Sequence, residues 1–165
     1  MANNADLLTQ LEEARKEFLA LLNAIPESDY GKPSGNEAWT VGDVLYHITL
    51  GPKALALEAW LIIHARGLFQ LAMNIFPSQT FNRVNAWFGR RDKQRLTRSG
   101  LAERYEKGHA ALRSVLKRAG EKDLAKSVQY PADFVSELAG QVTLERLIHY
   151  AREHVEVHGR QAAVK

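Results

Sequence analysis

The sequence predicts an all-α chain, a four-helix bundle with long crossover connections. Three observations carry that expectation: four long segments repeat their apolar residues at helical spacing, no segment alternates convincingly as a strand, and there is no internal repeat. At 165 residues the chain reads as one domain, 1–165. A chain of that length buries roughly 70% of its unfolded surface, enough for a core without covalent staples.

The first element is Asp6 to Ala24, where Leu7, Leu8, Leu11, Ala14, Phe18, Leu21 and Leu22 form the apolar side and Glu12, Glu13, Arg15, Lys16 and Glu17 lie mostly opposite. Pro26 and the polar stretch to Asn36, with Gly31, Pro33 and Gly35, end it in a long connection. The second helix opens after Trp39, with Thr40 as N-cap and Asp43 answering as in a capping box. Gly51-Pro52 falls about three turns in, where proline removes a backbone donor, so a kink or break is expected. Leu55, Ala59, Ile62 and Ile63 resume the pattern and Gly67 is the expected stop. From Leu68 to Thr97 the pattern is irregular, and a segment so long is expected to hold short helical turns rather than empty loop. A third long helix runs from Ser99 or Gly100 to Ala119, with Gly120 as its stop. Lys122 to Gln141 reads as loop with a short helix at Asp133 to Leu138, and the last helix begins after Thr143.

That last helix carries the candidate chemistry. At about 100° per residue from Leu144, the apolar stripe of Leu147, Ile148, Ala151, Val155 and Ala162 lies within about 60°, His154 falls near about 280° and His158 near about 320°. Two imidazoles one turn apart therefore edge the core-facing stripe. His149, near about 140°, faces elsewhere. His47, two turns into the second helix, is next to its core face, and antiparallel packing of the two helices would bring three neutral imidazoles to one divalent ion at about 2.0–2.2 Å. Three protein ligands leave coordination positions open.

Composition narrows the rest. There is no cysteine, which excludes disulfides, thiolate sites and a cysteine nucleophile. A net charge of +3 from 22 basic and 19 acidic residues points to no particular partner. No signal peptide or membrane span is apparent, since the longest apolar run, Ala54 to Ala65, is short and contains Glu58 and His64. A cytoplasmic protein is expected, binding neither membrane nor nucleic acid.

Trp39-Thr40-Val41-Gly42-Asp43-Val44-Leu45-Tyr46-His47-Ile48 resembles the second-helix motif of the DinB-like, also YfiT-like, metal-binding bundles, and His154-x-x-x-His158-Gly159-Arg160-Gln161 resembles their C-terminal motif. The resemblance covers the chain length, the order of helices and both motifs; Gly51-Pro52 is not part of it. It implies a metal triad of His47, His154 and His158 with nickel, zinc or manganese, a homodimer, and for some relatives a low-molecular-weight thiol as cosubstrate. As a Lewis acid, the ion would lower the pKa of a bound water or thiol toward about 7. The function expected is a metal-dependent thiol S-transferase or hydrolase acting on a small molecule; the alternative is a non-catalytic dimeric bundle with a structural or vestigial ion. The catalytic residues stay unknown, because no general base stands out.

The remaining polar residues are read conservatively. Asp43 is expected to cap, with hydrogen bonding to a ligand imidazole as the other option; Gln161 reaches a bound ligand or solvates the helix end; Gly159 serves close packing. His64, His109 and His149 are expected at the surface or helix edge, and Glu153 and Glu156 as solvated charges. Phe76, Phe81, Trp87 and Phe88 are expected in the core, a wall over the metal being the sharper reading. The basic run Arg90 to Arg98 is expected as a solvated entry to the third helix.

Overall fold

The computed structural model describes residues 3–75, 97–134 and 136–162. The aromatic residues Phe76, Phe81, Trp87 and Phe88 and the basic run up to Leu96 lie outside the described residues.

Four long helices form the bundle: α1 (Asn4–Ala24), α2 (Val41–His64), α4 (Arg98–Arg118) and α6 (Leu144–Gln161). Two shorter ones, α3 (Arg66–Ile75) and α5 (Glu121–Leu124), a hairpin of β1 (Ser127–Tyr130) and β2 (Gly140–Thr143), and 3-10 turns at Glu27–Asp29 and Ser136–Leu138 complete the described elements. Around the ring, α1 touches α4 and α6, and α2 touches the same two. Helices α1 and α2 are therefore diagonal, as are α4 and α6, and the chain crosses the bundle end each time it passes between them.

Local chemistry fixes the helix ends. Asn3, Thr40, Thr97 and Thr143 each accept a bond from a first-turn backbone amide. The expected capping box is present in full: Asp43 Oδ2 accepts from the Thr40 amide at 3.0 Å, and Thr40 Oγ1 from the Asp43 amide at 3.2 Å. At the far end of α1, Arg98 donates to the carbonyls of Leu22 and Ile25 at 3.2 and 3.0 Å, so the first residue of α4 satisfies acceptors that α1 leaves over.

Three expectations are corrected. Helix α2 runs unbroken through Pro52, because the proline is buried where α4 presents Gly108: a Cβ on Gly108 would lie 3.2 Å from Pro52 Cβ and 2.9 Å from the Lys53 nitrogen. That close packing offsets the lost hydrogen bond. Gly67 does not stop α2, which ends at His64; it lies in the first turn of α3. Between α5 and α6 there is an antiparallel hairpin, Ser127 to Tyr130 against Gly140 to Thr143, where only loop and a short helix were expected; a 3-10 turn at Ser136–Leu138 is what remains of the latter. Gly140 adopts φ 85°, which suits glycine. The exposed edge of β1 is closed by Gln70 of α3, whose side chain accepts from the Gln129 amide at 2.7 Å and donates to its carbonyl at 3.0 Å.

The core falls into two apolar clusters. One gathers Leu7 and Leu11, Leu55 to Ile62, Leu112 and Leu116, and Leu144 to Ala151; the other gathers Ala14 to Leu22, Val41 to Ile48, Leu101 and Tyr105, and Val155. Between them lies a level holding Thr49, Gly51 and Pro52 on α2, Gly108 and His109 on α4, and His154 on α6. His109, expected at the surface or helix edge, is 5% exposed there, because α1 packs over it and sets Glu12 3.7 Å from its Nε2.

Candidate metal centre

At the edge of this level α2 and α6 run antiparallel, and three imidazoles meet. The rings of His47 and His154 are 5.0 Å apart between centroids, His47 and His158 4.5 Å, and His154 and His158 4.6 Å. One ring nitrogen from each lies within 4.8 Å of the other two, and this is the one such group of three potential ligands among the described residues. Nε2 of His47 and Nε2 of His154 are 3.2 Å apart. Two ligands at about 2.0–2.1 Å on a tetrahedral ion stand about 3.3 Å from each other, so the donor set fits a small divalent cation with little movement.

Neighbouring residues set each ring. His154 is buried and lies against Gly51, whose missing side chain leaves the room: a Cβ there would be 2.8 Å from Nδ1. His158 Nδ1 donates to Gln161 Oε1 at 2.9 Å, leaving Nε2 as the ligand atom. Gln161 thus orients a ligand ring. His47 is walled by Trp39 at 4.9 Å between ring centroids. The loop carrying Trp39 is tied to the end of α6 by a bond of 2.7 Å from the Gly35 amide to the Gln161 carbonyl.

Burial, then the charge of His158, pushes His47 down to about 4. Burial, then His47 and His158, holds His154 well below its ordinary value. Both are neutral at pH 7 and have no proton to lose on binding an ion.

The other polar residues divide as follows. His64 is exposed, and the half-buried His149 meets Gln10 at 2.6 Å. Glu153 and Glu156 are ion-paired on the surface with Arg146 and Arg152, each at 2.8 Å. Gly159 lies against Leu21 of α1.

One carboxylate of interest escaped the sequence reading. Glu58 accepts a hydrogen bond of 2.6 Å from Tyr130, itself fully buried. Its signal was present: eleven residues after His47 it returns to within about 20° of the same helix face. Burial pushes Glu58 up to about 7, against the pull of the Tyr130 bond. A carboxyl raised above its unfolded value loses folded-state stability as pH climbs from that value toward the folded one. Glu58→Gln is therefore expected to gain on the wild type between about pH 4.5 and 7 and to keep a constant advantage above. Urea unfolding of both proteins at pH 5 and pH 8 measures this; an identical pH dependence would show the carboxylate to be well solvated.

None of the curated proteins matches the sequence. Among solved structures, the mycothiol-dependent maleylpyruvate isomerase superposes with a TM-score of 0.71 at 15% identity, covering 99% of this chain, and a mutant of it gives 0.73. The chain spans 62% of the length of that isomerase. YfiT from Bacillus subtilis, described as a probable metal-dependent hydrolase with an unusual four-helix bundle topology, superposes with a TM-score of 0.71 at 14% identity, covering 98% of this chain and 85% of its own. At these identities the likeness is one of fold. The DinB superfamily model matches residues 10–162, nearly the whole described bundle, and the chain belongs to that superfamily.

Proposed function

We propose that the chain is a metal-dependent enzyme of small molecules, in which His47, His154 and His158 hold a zinc, nickel or manganese ion and the reaction is transfer of a low-molecular-weight thiol or hydrolysis. The observation that carries this reading is the ligand set: three imidazoles within reach of one another and, among the described residues, no fourth protein ligand in the group. Three protein ligands are the catalytic pattern, whereas structural sites are closed by four. An ion bound there supplies Lewis acidity that makes water or a thiol nucleophilic near neutral pH. Burial holds the His47 and His154 rings neutral, Gln161 fixes the His158 tautomer, and Trp39 shields His47. The names of two structural neighbours, one mycothiol-dependent and one a probable metal-dependent hydrolase, support the same class.

The test has two parts. A metal bound only by the folded form raises the melting temperature, by about 2.7 kcal/mol of stability at a hundredfold excess over Kd, and a chelator reverses it. The loaded protein is then expected to conjugate a small thiol to an electrophile, or to hydrolyse an activated ester, and the stripped protein to do neither. Metal binding with no turnover of either kind would favour a second reading, a non-catalytic homodimer. That reading has its own support in Leu57, Trp60, Leu68, Leu71 and Ile75, apolar side chains 47–67% exposed on α2 and α3.

No described helix is long and apolar enough to cross a membrane.

A further inference from the structure

Across the bundle from the imidazoles, α1 and α4 pack antiparallel, with Asn4 donating to the Leu116 and Ala119 carbonyls and Arg15 facing Glu106. The groove between them holds a cavity of about 380 Å³, a volume within the range of small-molecule pockets. The sequence of α4 makes the space. His109, Arg113 and Lys117 follow one another at four-residue spacing, and the row beside them carries Ala110 and Ser114, too short to fill the groove.

The polar atoms of this cavity are incompletely paired. At one end Arg15 and Glu106 satisfy each other through contacts of 2.7, 2.8 and 2.9 Å. In the middle a single oxygen, Glu12 Oε1, faces two nitrogens and serves neither: Arg113 Nε at 3.1 Å is off the bonding direction, and His109 Nε2 at 3.7 Å is out of range. Both nitrogens are sealed from water without a hydrogen bond, two of only four such side-chain atoms among the described residues. Folded proteins satisfy nearly all their buried polar atoms, so two orphans around one carboxylate mark an arrangement that lacks a component. At the other end the Ser114 hydroxyl and the Lys117 ammonium have no protein partner among the described residues. The cations Arg15, Arg113 and Lys117 against Glu12 and Glu106 leave one positive charge in excess.

We infer that this cavity is a second binding site, for a small organic molecule with one negative charge, whose head is held by Arg113, Ser114 and Lys117 and whose body lies over Ala110. The head takes Arg113 as its counter-ion, and Glu12 is released to close on His109 as a hydrogen-bonded ion pair. The ring takes up a proton in that exchange. Burial holds His109 below the ordinary histidine value in the empty site; Glu12 of α1 and Glu106 of α4 pull it up, Arg15 of α1 pushes it down, and no group of α2 or α6 is among those acting on it. Arg113 and the Tyr105 ring are its other neighbours on α4. A ligand whose binding adds a proton binds more tightly as pH falls. The site does not depend on the metal reading.

Three probes of one length test it: hexanoate, hexanol and hexylamine, titrated into the 15N-labelled protein at pH 8 and pH 6 and followed at the amides of Ala110, Ser114 and Lys117. The amides of Gly51 and His154 report any binding at the imidazoles instead. Hexanoate is expected to bind at pH 8 with a Kd of about 1 mM, at least about tenfold more tightly than the alcohol, with the amine weakest. At pH 6 its affinity is expected to be about threefold higher. Lys117→Ala weakens it about tenfold and Ala110→Leu, which fills the groove from an exposed position, abolishes it, with melting temperatures unchanged. Glu12→Gln, which cannot form the ion pair with His109, keeps hexanoate binding and loses the pH dependence. Equal binding of the three probes, or hexanoate binding undiminished in Ala110→Leu and Lys117→Ala, overturns the site. A pH dependence that is absent from the wild type, or that survives in Glu12→Gln, overturns the exchange at His109.

Discussion

His154→Ala is expected to raise the dissociation constant for zinc or nickel by more than about a hundredfold, past the 10–100-fold typical of losing a residue that only orients a ligand. Gln161→Ala, which removes the acceptor holding His158, is expected to fall inside that range. The difference follows from position. His154 is the buried member of the triad, and its Nε2 lies 3.2 Å from that of His47. Without it, His47 and His158 can supply only two of the three donors. Competition against a chromophoric chelator measures both constants, and far-ultraviolet melting of the metal-free proteins checks that the bundle persists. Unchanged affinity in His154→Ala would remove the triad as a metal site and leave a helical scaffold of DinB type.

How far the sequence could be read depended on how local each feature is. The four long helices were legible because many apolar residues repeat at one period, and Thr40 and Asp43 because a capping box lies within four residues. The pairing of His154 with His158 is equally local. Joining His47 to them required α2 to pack antiparallel on α6, which the family motifs suggested and periodicity alone did not. What was missed depends on partners distant in sequence. Pro52 is tolerated because Gly108, fifty-six residues later, lets α4 close on it. His109 sits at a helix edge by angle and is buried because α1 covers that edge. The strands of the hairpin are four residues each, too short for alternation to distinguish them from loop. Glu58 looked like an interruption of an apolar run, and its interest arises from Tyr130, on a strand that was not anticipated.

The polar level of the core yields the last prediction, a pair of glycine substitutions with opposite signatures. An alanine in a helix interior is ordinarily worth about 0.5–1 kcal/mol over glycine. At Gly51 the new Cβ would stand 2.8 Å from His154 Nδ1 and 2.9 Å from its Cε1, so the ring must move. A side chain can turn where a backbone cannot, and the metal-free fold is expected to keep its melting temperature. A ligand, however, has to be held within about 0.5 Å of its productive position, and a displaced ring loses that. Gly51→Ala is therefore expected to weaken metal binding at least about tenfold and to alter the cobalt spectrum with little change in apo stability. At Gly108 the obstacle is the Lys53 backbone nitrogen at 2.9 Å, together with Pro52 Cβ at 3.2 Å, and relief requires α2 and α4 to separate. Gly108→Ala is expected to cost about 1–3 kcal/mol of folding stability, as overpacking does, with the metal affinity following only secondarily. Urea unfolding of the metal-free variants and metal competition on the folded ones separate the two. If Gly51→Ala lost stability and kept its affinity, the close approach at position 51 would serve the packing of the helices rather than the aim of His154.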